Sequence, residues 1–118
     1  MTVDPFAERL ARVRQRFVAT LAGKINDTYA VLPRLADSAA DAASAVEETY
    51  RCMHGLVGIG PTVGFPETGR AARGVEDALR GPRQVKRGLT GEEISALKKS
   101  LDALCEVAQR ELRSCASA

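Results

Sequence analysis

The chain of 118 residues is long enough to bury one core and too short for several domains. Its 45% hydrophobic content, with 4% aromatics and no Trp, favours packed helices of Leu, Val and Ala over a β-sandwich. A net charge of +2 is too weak to argue for a nucleic-acid partner, and no apolar run is long enough to span a bilayer.

The N-terminal MTVDPFAERLARVRQRF alternates charged and apolar residues, unlike the apolar core of a signal peptide. Cys52, Cys105 and Cys115 are odd in number and lack paired metal-type spacing. Reduced thiols, no disulfide, no zinc site and a cytoplasmic location are therefore the expectation. One domain over residues 1–118 is expected.

Asp4-Pro5 reads as an N-cap followed by proline at the first helical position. Phe6, Leu10, Val13, Phe17, Leu21, Ile25, Thr28 and Leu32 then recur at helical spacing, forming one apolar stripe that Pro33 closes. Asp37 or Ser38 is positioned to cap a second helix, with Ala39, Ala42, Val46, Thr49, Tyr50, Met53 and Leu56 on its apolar side. Gly58, Gly60, Pro61 and Gly64 break it. A third helix is expected from Phe65-Pro66-Glu67, carrying Ala72, Val75 and Leu79, with Gly81-Pro82 as its end. A basic loop runs to Gly88. Thr90 and Glu93 match a capping box, and Ile94, Leu97, Leu101, Leu104, Ala108 and Leu112 stripe the last helix. Four amphipathic helices with short connections predict an all-α, antiparallel four-helix bundle.

Chemistry concentrates at the only histidine, His54. It lies one turn after Tyr50 and beside Met53, on the rim of the apolar stripe, where packing holds one side of the ring and water reaches the other. A single helix histidine is commonly a surface residue without chemistry. Its neighbours point elsewhere. Gly55 and Gly58 each cost roughly 1 kcal/mol against Ala in a helix interior, and Gly58 leaves space one turn from the ring. Gly58 also fits the simpler role of beginning the helix end.

The run HGLVGIGPTVGFPETGRAARGVE resembles the histidine-containing phosphotransfer (HPt) domain of bacterial phosphorelays. His54, Leu56, Gly58, Gly64, Phe65, Pro66, Glu67, Arg70, Ala71, Ala72 and Glu76 fall on that family's H-x-L-K-G pattern, its Gly-Phe restart and the acid or amide that follows. The match is dense across residues 50–80; the flanking helices fit by length and pattern. Two departures stand out: Val57 replaces the family's lysine, and Ile59-Gly60-Pro61 replaces a small polar run.

The resemblance implies a bundle with the phosphoacceptor His54 exposed on the second long helix. It also implies that Glu76 approaches the ring from the third helix. An acceptor on Nδ1–H would fix the tautomer and leave Nε2 as nucleophile. Glu76 also fits an ordinary pairing with Arg73 or Arg80 at helical spacing. Gly55, Val57 and Gly58 would set access to the phosphoryl group and its support. Arg51, Arg70, Arg73 and Arg80 fit either a solvated face or a docking face for an acidic receiver pocket. Arg9, Arg12 and Arg16 are expected to face solvent, without the interleaved aromatics of a nucleic-acid platform.

The glycines at 58, 60 and 64 match neither a Walker loop nor a dinucleotide fingerprint. The expectation is a phosphocarrier without ATP binding or autonomous turnover, not a full enzyme. It would need no cofactor or metal of its own, with Mg²⁺ supplied by the partner. The partners implied are a response-regulator receiver domain and a sensor or hybrid histidine kinase, with no nucleic acid and no membrane. A closed core gives no need for a second copy, so a monomer is expected. A docking module that is never phosphorylated is the alternative, motivated by the apolar Val57 and Ile59. The histidine domain of a chemotaxis-type kinase is a third reading.

Overall fold

The computed structural model describes residues 4–117, without the side chains of 116 and 117; the single-domain reading also takes in residues 1–3 and 118, which lie outside the described residues. Four helices account for nearly all of it: α1 (Pro5–Val31), α2 (Ala42–Ile59), α3 (Pro66–Gln84) and α4 (Gly91–Ser117). Short 3₁₀ turns at Leu32–Leu35 and Pro61–Val63 follow α1 and α2. Among the described residues there is no strand, and no helix is long and apolar enough to cross a membrane.

Local sequence accounts for two of the helix starts. The Phe6 amide donates to Asp4 Oδ1 at 3.0 Å, opening α1. At α4 the capping box closes in both directions: Thr90 N donates to Glu93 Oε1 at 2.9 Å, and Glu93 N to Thr90 Oγ1 at 3.2 Å. Arg87 adds two further bonds to the Glu93 carboxylate, at 2.7 and 3.1 Å. Arg87 first, then the Thr90 amide, lowers the Glu93 pKa from its usual 4.5 to about 2.

Two boundaries and one stripe differ from the sequence reading. Neither Asp37 nor Ser38 caps α2, which starts later at Ala42 and so leaves out Ala39; Asp37 Oδ1 instead accepts from the Gly88 amide at 3.1 Å. That bond, with Asp37 N to Leu89 O (2.9 Å) and Leu89 N to Leu35 O (2.7 Å), ties the α1–α2 connection to the α3–α4 connection. Pro82 does not end α3, which runs on to Gln84. A proline gives up its own N–H bond and crowds the carbonyl four residues back; Pro82 is buried, and the helix continues two residues past it. The α1 stripe is only partly a core stripe. Phe17, Leu21, Ile25 and Thr28 are buried, whereas Phe6 and Val13 are 65% and 43% exposed. The turn after α2 meets α1 at Arg14 and Phe17, through Arg14 Nε to Val63 O at 3.0 Å and a Phe17–Phe65 ring contact of 5.1 Å. In the turns before that point Leu10 is half-buried against the core, between the exposed Phe6 and Val13.

The core is one cluster drawn from every helix, including Leu21, Val46, Met53, Leu79, Leu97 and Leu101. Helix α3 starts without a side-chain cap of its own. Glu111, far along α4, supplies one: its carboxylate accepts from the Thr68 amide at 2.6 Å and the Glu67 amide at 3.2 Å. A carboxylate at a helix N-terminus satisfies free amides and complements the dipole. This cap ties the start of α3, the helix that carries Glu76, to α4.

Candidate functional site

His54 stands on the outer rim of α2 as the periodicity predicts. Met53 beside it is fully buried, while the imidazole side chain is 70% exposed. Glu76 lies opposite on α3 with its side chain only 4% exposed, and its Oε2 is 2.9 Å from His54 Nδ1. A buried acceptor on Nδ1 selects the tautomer with the proton there, which leaves the Nε2 lone pair facing solvent. The expected pairing is therefore present in the geometry.

The second oxygen of Glu76 is also engaged. Arg80 Nη2 donates to Glu76 Oε1 at 3.1 Å and forms an ion pair with Asp77 Oδ1 at 3.1 Å. The pKa of Arg80 is raised, by Tyr50 first and Asp77 next. Tyr50 in turn stacks loosely on His54, with centroids 6.0 Å apart and planes 9° apart. The Arg83 guanidinium covers Tyr50 at 4.2 Å from the ring centroid. Arg83 Nε also donates to Glu47 Oε2 at 2.6 Å, and Arg51 Nε to Glu47 Oε1 at 3.0 Å. The Glu47 pKa is lowered, chiefly by Arg83. Two rows thus face each other: Glu47, Tyr50 and His54 ascending α2, and Arg83, Arg80 and Glu76 descending α3.

The contact between α2 and α3 is close because glycines line it. A Cβ on Gly60 would fall 2.8 Å from Leu56 O and 3.0 Å from Phe65 O; one on Gly69 would fall 2.8 Å from the Pro61 ring. Gly64 turns the chain between them at φ +91°. Such φ values are strained for residues with a side chain. These three positions let α3 return close enough for Glu76 to reach the ring.

Gly55 and Gly58 are different. A Cβ at either position would meet nothing within 4 Å, so the fold itself has no steric need for glycine there. Val57 is partly buried and packs against the core. Arg51, Arg70 and Arg80 each pair with a carboxylate of their own helix: Arg51 with Glu47, Arg70 with Glu67 at 2.7 Å, Arg80 with Glu76 and Asp77. Arg73 is exposed on α3. Arg9, Arg12 and Arg16 are exposed, as expected, and Lys24 is half-buried. They surround a shallow groove floored by Val13, Phe17 and Ile59, which continues past Phe6 to Gly58.

Sequence reasoning passed over Tyr50, Glu47 and Arg83 as site residues. The spacing of Tyr50 to His54 was a usable signal. Glu47 and Arg83 are 36 positions apart, and only the fold brings them together. Among the described residues no three His, Cys, Asp or Glu side chains converge as a metal site.

Comparison with protein-family models, curated proteins and solved structures returns no match. The functional reading therefore rests on the chain's own residues and geometry.

Proposed function

We propose that this protein is a histidine phosphocarrier of the HPt type, an antiparallel four-helix bundle that receives a phosphoryl group on His54 Nε2 and passes it on. The observation that carries the reading is an exposed imidazole whose Nδ1 sits 2.9 Å from a buried carboxylate. A nucleophilic ring needs both an acceptor that holds one nitrogen and open access at the other.

The donor is a phospho-aspartate on a receiver domain. The Nε2 lone pair attacks phosphorus, the P–O bond to the aspartyl carboxylate breaks, and that carboxylate leaves with the electron pair. The ring then carries positive charge, which Glu76 Oε2 balances through Nδ1–H. The receiver supplies Mg²⁺ and its acidic pocket, while this chain contributes position and charge. Onward transfer runs the same step in reverse to a second receiver.

The groove between α1 and α2 supports a docking position. Its exposed Phe6, Val13 and Ile59 lead to Gly58, one turn from His54, and four cations rim it. An acidic receiver face with an apolar centre complements it. Ile59→Glu is expected to weaken receiver binding at least tenfold without loss of thermal stability. Unchanged affinity would remove this surface from the account.

The reading is tested by mixing the protein with a phosphorylated receiver and looking for an acid-labile, alkali-stable label. The label is expected in the native chain and absent in His54→Gln. A label that persists in that variant places the acceptor elsewhere. Receiver binding without any label, unaffected by His54→Ala, would favour the docking-module alternative that Val57 and Ile59 motivate.

A further inference from the structure

Glu76 is a carboxylate with almost no contact with water, and an ion so placed is costly unless a permanent opposite charge accompanies it. The cation on the carboxylate's other oxygen is Arg80, 3.1 Å from Oε1, while Oε2 is left for His54 Nδ1. Arg80 is itself held by a second ion pair, to Asp77 Oδ1 at 3.1 Å on the same helix.

From this arrangement we infer that Arg80 is the positioning residue of the site, acting on His54 only through Glu76. With Arg80 in place, Oε1 of Glu76 is held and Oε2 is aimed at the ring, so Nδ1 keeps its proton and Nε2 its lone pair. Without it, the carboxylate group is free to turn away from Nδ1, and the preference for that tautomer weakens. The consequence for phosphoryl transfer rests on the function proposed above; the tautomer itself does not.

The chain has one histidine, so its imidazole nitrogens are resolved without assignment ambiguity. Long-range ¹H–¹⁵N correlation spectra of the uniformly labelled, tag-free protein, under mildly alkaline conditions, report the tautomer directly. The native ring is expected as Nδ1–H. In Arg80→Met the ratio of Nδ1–H to Nε2–H should fall roughly tenfold, the scale of one charge-assisted hydrogen bond. Arg80→Lys should restore most of it. Arg80 is nearly half exposed, and the backbone amide spectrum of each variant checks that the bundle is kept.

An unchanged ratio in Arg80→Met overturns the inference, and so does an equal loss in Arg80→Lys, which would make Arg80 a shape requirement. Phosphoryl acceptance measured on the same samples separates the two proposals. A native protein that refuses phosphate while Arg80→Met switches tautomer would sink the phosphocarrier reading and leave Arg80's role standing. Loss of acceptance in Arg80→Met with the tautomer intact would assign Arg80 to receiver docking instead.

Discussion

Gly58 illustrates how a single residue separates fold from function. Nothing in the bundle occupies the space where its side chain would lie, and glycine weakens a helix. Gly58→Ala should therefore raise unfolding stability by roughly 0.5–1 kcal/mol in a urea titration. Gly58→Leu should fold as well and yet accept phosphate from a receiver at least tenfold more slowly, since its bulk stands beside the ring. A destabilised Gly58→Ala would show the glycine to be structural. His54 itself was legible from spacing alone: a turn after Tyr50 and next to Met53 put it on the rim. Glu76 was legible only through the family resemblance, because its proximity to His54 depends on how two helices cross. The partner of its second oxygen could be read either way from i, i+4 spacing. The structure places Arg80 there.

At the scale of the helix, the start of an element is readable when its cap is local. Asp4 and the Thr90–Glu93 box lie within a few residues of the amides they serve, and both form as expected. The cap of α3 comes from Glu111, more than 40 positions away, and no local pattern announces it. Glu111→Ala is expected to cost about 1 kcal/mol of stability, measured by chemical denaturation. No change would mean that water replaces the carboxylate without loss. The α4 box makes a pH prediction. The folded-state pKa of Glu93 is depressed from 4.5 to about 2, so the ionised form stabilises the fold above the higher value. That contribution fades as pH falls from 4.5 toward 2. Glu93→Gln should flatten this part of the acid stability curve; a slope equal to that of the native chain would place the coupling elsewhere.

For the whole molecule, the site exists because α2 and α3 approach closely at Gly60 and Gly69. Gly60→Ala would press a methyl group against two carbonyl oxygens, at 2.8 and 3.0 Å. A cost of about 1–3 kcal/mol is expected, with a lowered melting temperature as the readout. Of the glycines read as helix breakers, Gly60 and Gly64 end the helix and turn the chain, whereas Gly58 lies inside α2. The second role of Gly60, close packing of one helix end on the next start, needs the third dimension. The exposure at the start of α1 was hidden for a similar reason: an apolar stripe records which face is greasy and not how completely its neighbours cover it. The exposed Phe6 and Val13 therefore looked like core.

The central claim is that the outward nitrogen of His54 is a phosphoryl acceptor, and a small-molecule donor tests it without any partner. The native protein should be incubated with phosphoramidate and followed by ³¹P NMR. One resonance is expected, from phosphate on Nε2, acid-labile and absent in His54→Gln. Phosphate on Nδ1, or none at all from a folded protein, would contradict the account.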